Sequence, residues 1–138
     1  HLNRLTQVMA RAEWEDSRIA EGLLRDPAGN VIGGTMSNLF VVQQGILATP
    51  ALRHCGIAGT MRARVMDAAA AKGLPVREAA LSVKDCLHAD ELFLCNAVRG
   101  IRPVRQLALQ AFTPGSVTRM LQAEIGPPWP VAPCEAAG

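Results

Sequence analysis

The sequence has no surplus of charge of either sign: fourteen basic residues stand against twelve acidic ones, for a formal net charge of +2. Of the basic residues only Lys72 and Lys84 are lysines. This balance argues against a nucleic-acid-binding surface, which needs clustered cations to neutralise phosphates. No apolar run approaches the roughly 18 residues that cross a bilayer, and His1-Leu2-Asn3-Arg4-Leu5 lacks the layout of a signal peptide. The expectation is a cytoplasmic protein with neither nucleic acid nor membrane as partner. Cys55, Cys86, Cys95 and Cys134 form no CxxC pair, so free thiols are expected in place of a zinc site or a disulfide framework. His1, His54 and His88 are equally dispersed, and no metal site is predicted. No Ser-His-Asp, Cys-His or paired-carboxylate arrangement declares itself; Asp85, Asp90 and Glu91 read as acids that cap and solvate a helix.

What is present is one globular domain: 138 residues, 49% hydrophobic and 19% charged, enough to bury a core of its own. Leu2, Leu5, Val8, Met9 and Ala12 fall at helical spacing and predict a helix over 2–14. Strands are predicted over 20–26, 31–32, 38–42 and 46–49, with a turn at Pro27-Ala28-Gly29-Asn30 and a break at Gly33-Gly34. An Ala-rich helix follows over 60–72, ended by Gly73 and Pro75. After a strand at 76–80, Ser82 is placed to cap a short helix through Leu87, with Asp85 as the acidic half of a capping box. Buried strands at 92–95 and 104–111 and a helix at 115–124 lead to the Pro-rich tail. Strands and helices mixed without strict βαβ alternation indicate an α+β, barrel-like domain.

Two segments carry local chemistry. Gly56-Ile57-Ala58-Gly59 leads into a helix start, where the unpaired N–H groups of Thr60 and Met61 can face an anion such as phosphate; a plain turn is the competing reading. Gly33-Gly34-Thr35-Met36-Ser37-Asn38 permits close approach of a ligand or another backbone, or is simply a β-bulge. Asn96, after a buried strand, needs a polar partner, in its own loop or elsewhere.

Taken in order, His1 to Leu5, Gly29-Asn30-Val31, Gly34 to Phe40, Gly45 to Pro50, Gly56 to Arg62, Ala89 to Phe93 and Pro103-Val104 resemble the C-terminal half of the fold-type IV pyridoxal-phosphate enzymes. These are aminotransferases of branched-chain and D-amino acids together with aminodeoxychorismate lyases. His1 to Leu5 and Cys95-Asn96-Ala97 are most similar to the lyases. The resemblance implies a barrel-like mixed β domain wrapped by helices over 1–125, a tail over 126–138, an N-terminal domain outside this sequence, and a homodimer. It implies pyridoxal 5'-phosphate as cofactor, with its phosphate at the N–H groups of Thr60 and Met61 and the Asn96-Ala97 loop on its other side. Ile57 would pack on the pyridine ring, and the backbone at Val98 would lie near the carboxylate of a small amino substrate. Arg99 and Arg102 are candidates to assist a substrate with two carboxylates, though both read first as solvated arginines.

The implied activity is lysis of 4-amino-4-deoxychorismate to 4-aminobenzoate and pyruvate for folate synthesis. The alternatives are transamination of a D- or branched-chain amino acid, and a non-catalytic relative serving as an interaction partner. Two departures from the family pattern stand out. The family's cofactor-anchoring lysine falls immediately before His1, so no catalytic residue is expected within this sequence; a record broken at a modified lysine would account for the start. The family also has Glu, paired with the ring nitrogen, where Gly33 stands, and no nearby acid is seen to replace it; Gly33→Glu is expected to raise activity.

Overall fold

In the computed structural model the described residues are 6–14, 17–51 and 59–126. Among them lies one nine-stranded sheet. Its strands are β1 (Thr6–Trp14), β2 (Ser17–Arg25), β3 (Val31–Gly34), β4 (Asn38–Gln43), β5 (Ile46–Pro50), β6 (Val76–Ala79), β7 (Glu91–Asn96), β8 (Gly100–Leu107) and β9 (Gln110–Ala111). The order is β3-β2-β1-β8-β7-β4-β5-β6, with β9 added to β8. Every pairing is antiparallel except β5 with β6. That one exception follows from the crossover through α1 (Thr60–Ala71), since parallel neighbours need a long connection. The helices α2 (Val83–Leu87) and α3 (Ser116–Ile125) complete the fold.

The sheet curls until its two ends meet. Val31 at the start of β3 donates its N–H to the carbonyl of Leu81 beyond β6, at 2.7 Å, and Asn30 bridges Ser82. The inner face closes over Ala10, Ala12, Leu23, Val31, Leu39, Val41, Leu92, Leu94 and Val104, with Leu81 and Cys86 closing the end where α2 sits. The outer face is covered by α1 and α3, which bury Met61, Val65, Ala69, Leu121 and Ile125 against Phe40, Val42, Leu47, Phe93 and Cys95. Phe40 and Phe93 stack there at 5.0 Å between ring centroids. The sheet is thus a curled half-barrel with helices on its outside, in agreement with the α+β, barrel-like expectation.

One element differs in kind from its sequence reading. Residues 6–14 form a strand and not part of a helix: Ala10 and Ala12 point inward while Met9 and Arg11 are exposed, a period of two. Val8 and Ala12 satisfy both periods, and pairing with β2 over the full length of β1 decides between them. A second correction concerns 104–111, which is two strands. Ala108 turns the chain at φ 52°, leaving Leu109 97% exposed between β8 and β9. Pro103 lies inside β8, beyond the last residue that pairs with β1, so its missing N–H costs no ladder bond on that side. The expected capping box is present: Asp85 N–H donates to Ser82 Oγ at 3.0 Å, and Ser82 N–H to Asp85 Oδ2 at 2.9 Å.

Candidate functional site

The half-barrel end opposite α2 gathers the chemistry. β3 ends there at Gly34, β4 begins at Asn38, β7 ends at Asn96 and β8 begins at Gly100. The register pairs Asn38 with Cys95 and Asn96 with Gly100, so the 35–37 loop and the 97–99 turn lie side by side. α1 starts at the same rim: a Cβ on Gly59, its N-cap, would stand 3.1 Å from Asn38 Oδ1. The segment with Thr60 and Met61 is thereby brought toward the segment with Asn96, Ala97 and Val98. Thr60 is exposed, and Met61 is buried on the face of α1 that packs on the sheet. Ile57 lies outside the described residues.

A cavity of about 310 Å³ opens at this rim, lined by Ala20, Glu21, Thr35, Met36, Asn96, Val98 and Arg99. Its walls are tied together by side chains. Asn96 Nδ2 donates to the Met36 carbonyl at 3.2 Å, and Asn96 Oδ1 accepts from Val98 N–H at 3.0 Å and Arg99 N–H at 2.7 Å. Both sequence readings of Asn96 therefore hold at once, since it bonds its own loop and a neighbouring one. The Val98 N–H is already engaged in that turn, while its side chain is 61% exposed at the cavity edge. Met36 is clamped at both ends of its backbone, by Asn96 and by Glu21 Oε2 at 3.0 Å, and its side chain is 74% exposed.

Beneath the cavity lies a polar cluster that sequence reasoning missed. Glu21 on β2 accepts from Ser37 Oγ at 2.6 Å and from Arg102 Nη2 at 2.8 Å. Arg102 is only 2% exposed, which corrects its reading as a solvated arginine. Its Nε and Nη1 have no partner among the described residues. Desolvation acts to raise the Glu21 pKa, but the bonds from Ser37, Arg102 and the Met36 N–H outweigh it and hold the carboxyl below its ordinary value. The available signal was an acid between Ala20 and the apolar Leu23-Leu24 of a predicted strand, since a buried carboxylate demands partners.

The acids near 85–91 also divide by role. Asp85 caps α2 and Asp90 accepts from the Gln44 N–H at 2.8 Å. Glu91 is buried, not solvated, and bonds the first turn of α3. Cys86 and Cys95 are free and buried, while Cys55 and Cys134 lie outside the described residues. No helix among the described residues is long and apolar enough to cross a membrane.

Comparison with known proteins identifies the class to which this fold belongs. The family model for amino-transferase class IV matches residues 1–107, and the chain belongs to that family. It is 35% identical over 129 residues to the aminodeoxychorismate lyase of Vibrio harveyi, covering 91% of this chain and 48% of the relative. It is 35% identical over 123 residues to a probable branched-chain-amino-acid aminotransferase of Thermotoga maritima, covering 87% of this chain and 44% of the relative. The 4-amino-4-deoxychorismate lyase structure from Pseudomonas aeruginosa matches with a TM-score of 0.76 and 42% identity, over 82% of this chain and 42% of that one. An aminotransferase from Brucella abortus, solved bound to the co-factor PLP, matches with a TM-score of 0.74 and 28% identity, over 76% of this chain and 38% of that one. The chain thus spans just under half the length of the curated relatives it matches.

Proposed function

We propose that the protein is a pyridoxal-phosphate-dependent lyase that converts 4-amino-4-deoxychorismate to 4-aminobenzoate and pyruvate. The observation that carries this reading is the approach of the start of α1, at Gly59, to Asn38, which pairs with Cys95 next to the 96–99 turn that lines the cavity. The residues present fit the cofactor's phosphate: α1 begins at Gly59, which has no side chain to cap it, and its first turn holds no acid. Thr60 and Met61 offer backbone N–H groups at the positive end of the helix dipole, and Asn96 with Ala97 bounds the other side. Ile57 is assigned to the ring face. Pyridoxal phosphate, when bound, supplies an electron sink for the charge left as a bond at the amine-bearing carbon breaks.

Asn96 fixes the turn so that Val98 and Arg99 face the cavity. Arg99 is the cation lining it among the described residues. A guanidinium suits a substrate with a second carboxylate, which aminodeoxychorismate carries and a branched-chain amino acid does not. Neither Lys72, paired with Glu124 at 3.3 Å, nor Lys84 in α2 lines the cavity, and this reading takes the proton-moving lysine from the segment preceding His1. A homodimer belongs to the same reading.

Transamination of a D- or branched-chain amino acid is the second reading, supported by the aminotransferase relatives. The test is incubation of the full-length protein with aminodeoxychorismate and no 2-oxo acid. Pyruvate release supports the lyase; amino transfer that requires a 2-oxo acid acceptor supports the transaminase. Absence of both, with no cofactor absorbance, would leave a non-catalytic relative.

A further inference from the structure

We infer, on the basis of the lyase reading above, that Met36 is a specificity-determining residue: its side chain packs on the six-membered ring of the substrate, and Val98 extends the same apolar wall. Arg99, in the same cavity, is left to meet a carboxylate.

Met36 joins an exposed apolar side chain to a fixed backbone. Its N–H donates to Glu21 Oε2 at 3.0 Å and its carbonyl accepts from Asn96 Nδ2 at 3.2 Å. The residues on either side are held as well: Thr35 N–H donates to the Gly22 carbonyl at 3.1 Å, and the Ser37 carbonyl accepts from Gly34 N–H at 2.8 Å. The 74% exposure of Met36 is therefore not that of a loosely attached loop. An apolar side chain held in water at a fixed place gains hydrophobic stabilisation only when another apolar group covers it.

The surroundings of Met36 define that group. Met36 and Val98 are the two exposed large apolar residues among the described ones that line a cavity together. Val98 is fixed by the same side chain as Met36, since its N–H donates to Asn96 Oδ1 at 3.0 Å, so Asn96 sets how the two stand to each other. Their cavity, of about 310 Å³, has the dimensions of a small-molecule site. An apolar pair beside a guanidinium matches a ring that bears a carboxylate, the chemistry shared by aminodeoxychorismate and its product 4-aminobenzoate. The unbranched thioether adapts its three rotatable bonds to a flat surface, and its sulfur makes a favourable contact with a π system that an aliphatic amino acid does not provide.

The experiment uses the full-length protein loaded with pyridoxal phosphate, with carbon-13 in its methionine methyl groups and 4-aminobenzoate as the probe. Met36→Leu identifies the Met36 methyl resonance by its loss. On titration that resonance should move upfield, as a methyl group over the face of an aromatic ring does, and Met36→Ala should weaken 4-aminobenzoate binding about tenfold. In turnover of aminodeoxychorismate, Met36→Ala should raise KM by about the same factor, with kcat and cofactor affinity held within about twofold, and Met36→Leu should recover most of the loss. A side chain that only propped the 35–37 loop would not carry a ring-current shift. A Met36 methyl resonance that stays in place while 4-aminobenzoate binds, or a KM unchanged in Met36→Ala, overturns the assignment and leaves the lyase reading intact. A wild type that releases no pyruvate from aminodeoxychorismate overturns both.

Discussion

The carboxylate of Glu91, on β7, holds the first turn of α3 through Thr118: Oε1 accepts from the Thr118 N–H and from its Oγ1, both at 2.7 Å, while Oε2 accepts from the Val117 N–H at 3.3 Å. The helix has no side-chain cap of its own, because Gly115 occupies that position and any Cβ there would collide with Glu91. An acid from the sheet thus does the work of a helix cap, and α3 is pinned over Phe93 and Ile101. Glu91→Ala leaves buried donors unpaired and should cost about 2 to 4 kcal/mol, measured by urea denaturation. Gly115→Ala should also destabilise, by displacing the same carboxylate.

The Glu21–Arg102 pair should make stability depend on pH in a defined window. Glu21's carboxyl is held below its ordinary value of 4.5 in the folded state, despite desolvation, by the bonds from Ser37, Arg102 and Met36. A carboxyl with a depressed folded pKa contributes stability that is fully present above the unfolded value and is lost as pH falls through the folded one. The stability difference between the wild type and Glu21→Gln should therefore be constant from neutral pH down to about 4.5 and shrink below it. A difference unchanged down to pH about 2, well below an ordinary carboxyl pKa, would contradict this.

Arg102→Ala leaves the Glu21 carboxylate buried without its counter-charge, and should cost about 3 to 5 kcal/mol. The charge-free pair of Glu21→Gln with Arg102→Met should cost clearly less than the sum of its two single variants, because a buried ion pair replaced as a unit removes both desolvation penalties. Denaturation midpoints of the four proteins in this cycle decide the matter.

Burial pushes the thiols of Cys86 and Cys95 up to about 12, with Asp85 adding to the effect at Cys86. Since the thiolate is the nucleophile, neither should react with an alkylating agent at pH 8 in the folded protein, and both should react after denaturation. Peptide mapping of the alkylated protein by mass spectrometry checks each position separately.

Restoring an acid at Gly33 should not raise activity on this backbone, contrary to the expectation from sequence. An L side chain at φ +146° is strained, and its Cβ must displace the Ser37 carbonyl that ends the loop beside the cavity. Gly33→Glu should lower stability by about 1 to 3 kcal/mol with no gain in turnover, measured by thermal unfolding and by rate at equal cofactor occupancy.

The order of strands and helices after residue 20, apart from the division of 104–111 into two strands, and the capping box at Ser82 were legible in the sequence because each rests on local rules: turn residues, alternation, an Asp three positions after a Ser; the family was legible only as a resemblance of ordered motifs. Residues 6–14 were misread because Val8 and Ala12 fit a helical and a strand period alike, and only pairing with β2 and β8 breaks that tie. Tertiary structure alone decided the roles of Glu21, Arg102 and Glu91. Glu21 meets Arg102 across 81 positions of chain, and Glu91 meets Thr118 across 27. A charged residue in a sequence reads as solvated until the fold removes its water, and burial obliges it to find partners that spacing along the chain cannot name.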